Sequence, residues 1–144
     1  MALTVSRTAD IAAASDAVQA VLRNLSTYPD WMPIVSSAET DGDDHWLVEL
    51  RVAIGPFARS KRIRMRRSVD SPQLIVFTRS EADGRDHATW ELRLELVKSE
   101  IGTNVNAMLR YEGKMWTPGP VEDALESGLD NGIVKLQEFV TRTM

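Results

Sequence analysis

From residue 34 to residue 111 apolar and polar side chains alternate with a period of two, and the chain then closes on one long stretch of helical period. Successive side chains of a strand point to opposite faces, so this alternation commits the middle of the chain to a sheet with one apolar face. Trp46, Val48, Leu50, Val52 and Ile54 share one face of a strand, with Glu49 and Arg51 on the other. Residues 60–69 place Lys61, Ile63, Met65, Arg67 and Val69 together, against Arg62, Arg64 and Arg66. Trp90, Leu92, Leu94 and Leu96 alternate with Glu91, Arg93 and Glu95, and Val105, Ala107, Leu109 and Tyr111 alternate with Asn104, Asn106, Met108 and Arg110. Ile34–Glu39 reads as a short strand, and Gln73–Arg79 as a strand whose facing the pattern leaves open. Asp41–Asp44, Gly55-Pro56, Ser71-Pro72, the polar loop 81–86 and Gly102 read as turns between strands.

The front of the chain adds a strand over residues 3–11, then a short amphipathic helix over 16–25 with Ser15 as its N-cap and Asp16 in the first turn. Pro29 and Pro33 limit the next segment to about one helical turn. At the other end, Pro118-Gly119-Pro120 opens a helix whose stripe is Val121, Leu125, Leu129, Ile133, Leu136 and Val140. It is the only element long enough to cover the apolar face of the sheet. The expected fold is therefore α+β: six to seven antiparallel strands curved around a long C-terminal helix, with two short helices after the first strand, as a single domain over 1–144.

Composition narrows the function. With no cysteine there is no disulfide, thiolate ligand or cysteine nucleophile. His45 and His87 stand far apart in sequence, each beside an aspartate, without metal-ligand spacing. A formal net charge of -4 argues against general nucleic-acid binding. There is no glycine-rich phosphate loop and no nucleophile elbow. No stretch has the form of a signal peptide or is long enough to span a bilayer, so the expected compartment is the cytoplasm, with neither cofactor nor metal.

The element order carries a resemblance, together with Ala-Ala-Ala-Ser-Asp-Ala-Val at residues 12–18 and Tyr-Pro-Asp-Trp-Met-Pro at 28–33. The chain resembles the START-like helix-grip superfamily (SRPBCC), and within it the polyketide cyclase/dehydrase and lipid-transfer group. The resemblance implies a hydrophobic ligand held between the sheet and the last helix. Some members close polyketide rings and others carry lipids or isoprenoid quinones, so fold alone does not assign a reaction.

The expected lining follows from strand parity and from the last helix. Trp46, Val48, Leu50, Lys61, Ile63 and Met65 come from the central strands, and Trp90, Leu92, Leu94, Ala107 and Leu109 from the later ones. Tyr28 and Trp31 come from the aromatic-proline segment, with Trp31 and Trp116 as candidates for the rim. The helix contributes Leu125, Gly128, Leu129, Gly132 and Ile133. The two glycines either leave volume for a ligand or let helix and sheet pack closely. The resemblance also implies a catalytic reading, in which Arg67 polarises a ligand carbonyl with Tyr111 assisting, although Lys61 and Ile63 stand where ring-closing members carry tryptophans. On the residues alone, Arg67 reaches either ligand or a carboxylate such as Glu91 or Glu112. Three functions remain in view: binding or transfer of a small lipid, isoprenoid or polyketide; a polyketide aromatase/cyclase-type reaction; and a protein-interaction module using the Arg62, Arg64 and Arg66 face, with Glu49 as a cross-strand partner for those arginines.

Overall fold

A computed structural model of the chain describes residues 2–54, 56–113 and 118–143. Strand β1 (Ala2–Ile11) leads into α1 (Ser15–Leu22) and a 3-10 helix over Leu25–Asp30. Six more strands follow: β2 (Val35–Thr40), β3 (His45–Ile54), β4 (Phe57–Asp70), β5 (Leu74–Arg79), β6 (Thr89–Lys98) and β7 (Thr103–Glu112). Helix α2 (Pro118–Thr143) closes the chain. The strands form one antiparallel sheet in the order β1-β7-β6-β5-β4-β3-β2. Helix α2 touches β1 at one end of this order and β3 near the other. A single helix can reach both only if the sheet bends around it, so the expected helix-grip architecture is present.

The strand parity read from the sequence holds along most of the strands and fails at Val69, which is exposed beyond a register shift in β4. Trp46, Val48, Leu50 and Val52 are buried, as are Ile63, Met65, Trp90, Leu92, Leu94, Leu96, Val105, Ala107, Leu109 and Tyr111. The strand of open facing resolves with Ile75 and Phe77 fully buried. In α2, Val121, Leu125, Leu129, Leu136 and Val140 are buried, and Ile133 is half-buried.

The front of the chain differs in detail from the expectation. Ala14, not Ser15, is the N-cap of α1, and no side chain caps it. The helix stops at Leu22, because Asn24 adopts an extended backbone and its side chain accepts a hydrogen bond from the Ser26 amide, starting the 3-10 helix. Leu25 and Tyr28 of that turn are buried in the same core.

The two glycines of α2 are where the helix meets the Met32-Pro33-Ile34 segment. A β-carbon at Gly128 would overlap Cγ2 of Ile34, and one at Gly132 would lie 2.8 Å from the sulfur of Met32. The space beside these glycines is filled by those two side chains. Of the two outcomes glycine permits, close packing is the one realised at both positions. The neighbours differ in compliance: Ile34 is β-branched and stiff, whereas a methionine thioether moves easily. Alanine gains about 1 kcal/mol over glycine in a helix interior, and overpacking costs about 1–3 kcal/mol. Gly128→Ala is therefore expected to destabilise the fold by about 1 kcal/mol and Gly132→Ala to leave it unchanged or slightly more stable. Denaturant titration of the two variants checks the contrast; equal effects would show that the two contacts are not distinct.

Candidate functional site

Between the concave face and α2 lies a small, wholly apolar cavity of about 50 Å³. Val48 and Leu50 of β3, Ile63 and Met65 of β4, Phe77 of β5, Trp90 and Leu92 of β6, Leu109 of β7 and Leu129 of α2 line it. Leu25, Tyr28, Met32, Ile34 and Val35 complete the lining from the segment before the second strand. Each strand contributes through residues of one parity, which is why a period-two pattern produces a cavity wall at all.

Outside it, an open cleft of about 560 Å³ runs along the start of α2. Its walls include Val52 and Ala53 of β3 and Asp123, Ala124, Ser127 and Gly128 of α2. Ile34 belongs to the lining of both spaces. One side chain, seated against Gly128, therefore stands between the cleft and the interior.

Of the side chains expected to line the ligand space, Tyr28, Val48, Leu50, Ile63, Met65, Trp90, Leu92, Leu109 and Leu129 come together around the cavity. Leu94, Ala107 and Leu125 are buried elsewhere in the core. Ile133 stands off the lining, Gly128 faces the cleft, and Gly132 backs onto Met32. Trp31 is not a rim residue: it is 2% exposed, packs on Tyr28 at 4.4 Å between ring centroids and donates its indole N–H to Thr27. Trp46 donates to Ser26 and meets Phe77 edge-on, standing behind the cavity wall. Trp116 lies outside the described residues. Lys61 is half-buried on the concave side, across from Leu50 and two residues before Ile63.

Sequence reasoning missed Leu25, Met32, Ile34, Val35 and Phe77. Phe77 lies in a strand that is apolar at both parities, Leu74-Ile75-Val76-Phe77, so its facing could not be read from the pattern. The others sit in and beside a proline-rich turn, where no period exists to assign a facing.

Arg67 does not line the cavity. Its guanidinium pairs with Asp44 and Asp70, donates to the Arg23 carbonyl at 2.6 Å and lies over the Trp46 ring at 5.4 Å. Trp46 and Phe77 thus intervene between Arg67 and the void, and the β4–β5 register shifts between Arg67 and Val69. The carboxylates that hold it are Asp44 and Asp70, not Glu91 or Glu112; a register shift and a turn aspartate are invisible to strand parity. Tyr111 is buried against Trp90 at 4.8 Å and also lies off the cavity lining. The hydroxyl of Tyr28 donates to the Leu22 carbonyl at 2.8 Å, and burial pushes its pKa up, so it remains protonated. On the outer face, Arg62 faces Glu49 across the strands at 3.9 Å and Arg64 pairs with Asp41 at 2.8 Å. The histidines contact their own turns, His45 at the Asp43 carbonyl and His87 at Asp83.

A curved antiparallel sheet gripping a terminal helix, with an apolar cavity between, defines the START-like class. The chain belongs to the family described as polyketide cyclase / dehydrase and lipid transport, whose model matches residues 2–138. Among solved structures it is similar to a START superfamily protein from Mycobacterium smegmatis, at 19% identity over 98% of this chain and 99% of that one, with a TM-score of 0.75. A conserved protein from Geobacillus kaustophilus superimposes with a TM-score of 0.76 at 12% identity, covering 98% of this chain and 97% of that one. An aromatase/cyclase from Streptomyces gives 0.63 at 18% identity, covering 97% and 92%. No curated protein matches the chain in sequence. Among the described residues no helix is long and apolar enough to cross a membrane.

The Arg23–Asp70–Arg67 cluster predicts a structural phenotype. Replacing Arg67 by Met removes the donor to the Arg23 carbonyl and the partner of the half-exposed Asp44, while Asp70 keeps Arg23, at an expected cost of about 1 kcal/mol with ligand affinity unchanged within about twofold. Calorimetric melting with parallel binding measurements checks it; lost binding at unchanged stability would put Arg67 at the ligand. Asp70 titrates below its ordinary value, chiefly because Arg23 hydrogen-bonds its carboxylate. The folded state therefore binds this proton less readily than the unfolded chain. The contribution is complete above about pH 4 and is lost as pH falls through the lowered value. Asp70→Asn should flatten that acid limb of the stability curve.

Proposed function

We infer that the chain binds, and carries without converting, a small hydrophobic molecule of the lipid, isoprenoid or polyketide kind in the space between the sheet and α2. The observation that supports this most is the cavity itself: lined wholly by apolar surface, set between sheet and helix, and sharing Ile34 with an open cleft. A core packed only for stability fills such a space, since interiors approach crystal density. The volume of about 50 Å³ admits only a small fragment of any lipid, and sites for drug-sized ligands run to about 300–1,000 Å³. Binding therefore has to enlarge the cavity. Met32 and Met65 in its wall are the side chains that repack at least cost, being unbranched and polarisable.

Ring closure by Arg67 and Tyr111 draws no support from their positions, since both stand off the lining and Arg67 is committed to two aspartates. The similar aromatase/cyclase from Streptomyces supports a shared scaffold, and at 18% identity it supports no more than that.

Filling the cavity tests the reading. Val48→Leu adds one methylene to the wall, which should raise stability by about 0.8 kcal/mol through added burial while weakening uptake of an apolar probe such as decanol by about tenfold. Quenching of tryptophan fluorescence on titration reports binding, because Trp90 lines the cavity. Decanol affinity unaffected by the substitution would remove the cavity as the binding site.

A further inference from the structure

The cavity is apolar on every side, but the concave face of the sheet is not. Strands β3 and β4 pair from His45↔Arg66 out to Ile54↔Phe57, whereas β2 follows β3 only as far as Leu50 and β5 joins β4 only from Met65. The outer half of this hairpin is a two-stranded ribbon, continuous with the strands of the cavity wall, whose Val52 and Ala53 line the open cleft. Directly opposed residues of an antiparallel pair share a face. Lys61, opposite Leu50, and Arg59, opposite Val52, therefore stand on the concave side, in line with Ile63 and Met65 of the cavity wall.

Lys61 is half-buried, yet no hydrogen bond or ion pair to its ammonium forms among the described residues. Its charged neighbours explain why it is unpaired. Arg79, opposite Met65 on the same face, is 7% exposed in its side chain and holds Glu81 at 3.0 Å. The same Glu81 oxygen also accepts the Arg64 amide. Arg79 and Glu81 thus cancel each other, which leaves Lys61 and the exposed Arg59 as uncompensated positive charge beside an apolar hollow. Partial burial and the charge of Arg79 both act to lower the Lys61 pKa, with Glu81 opposing them. A partly desolvated cation without a counter-ion carries a modest cost, and an anion supplied from outside relieves it.

We propose that Lys61 receives the carboxylate of an amphipathic monoanion whose apolar body occupies the cavity, with Arg59 adding attraction from the open end of the ribbon. This deepens the hydrophobic-ligand reading and rests on it. The chemistry selects a single carboxylate over a phosphate dianion, because one half-buried ammonium matches one negative charge.

The test compares three ligands with one ten-carbon chain and different heads: decanoate, decanol and decyltrimethylammonium. Each is titrated by calorimetry at neutral pH against the wild-type chain and Lys61→Met, which keeps length and apolarity but loses the charge. Wild type should bind decanoate about tenfold more tightly than decanol, as one charge-assisted contact allows, and the cation most weakly. Lys61→Met should bind decanol within about twofold of wild type and lose the preference for decanoate. Equal affinity of wild type for decanoate and decanol overturns the carboxylate assignment and leaves the cavity reading standing. A preference for decanoate that survives in Lys61→Met overturns the role of Lys61. If none of the three binds, the hydrophobic-ligand reading falls and this proposal with it.

Discussion

The apolar side of a bent seven-stranded sheet cannot be left in water, and in this protein one helix does most of the covering. The contact that sets how closely it does so is the seating of Ile34 and Met32 against the bare backbone of Gly128 and Gly132. Glycine in a helix interior weakens the helix, so its placement at two successive turns on the covered side has to be offset by packing. Met32 and Ile34 supply that packing, and in doing so they also become part of the cavity wall. Closure of the core and shape of the interior are consequences of one set of contacts.

The strands and the long helix were legible in the sequence because each rests on a repeating pattern. Trp46, Val48 and Leu50, or Trp90 and Leu92, declare their facing through their neighbours, and nine of the eighteen side chains expected at the ligand do meet around one void. Reading failed where periodicity stops. Met32, Ile34 and Val35 follow a proline-rich turn whose direction depends on tertiary packing. Parity puts Arg67 on the inner face and leaves ligand or carboxylate open as its partner; a register shift beside it and the distant aspartate of a turn decide for the carboxylates. Gly128 and Gly132 could not be decided at all from sequence, since the same residue permits a hollow or a close approach, and only the partner across the gap distinguishes them.

Charge on the inner surface divides by function in the same way. Arg79 is held by Glu81, and Arg67 by Asp44 and Asp70; each such group is satisfied within the protein and stiffens its surroundings. Family membership supplies the fold and the general habit of enclosing greasy molecules. Which inward-facing polar groups are satisfied within the protein is a property of individual residues and not of the scaffold.

The shared position of Ile34 has a kinetic corollary. Where the barrier between solvent and interior is a hinged domain, exchange of contents waits on a collective motion of microseconds to milliseconds. Here the side chain shared by cleft and interior, Ile34, is buried, β-branched and seated on Gly128, so it does not turn as freely as an exposed side chain. Passage between cleft and interior by this route would require the residue 32–34 segment and α2 to part at Gly128 first, so the close approach that seals the core would also set the rate of opening.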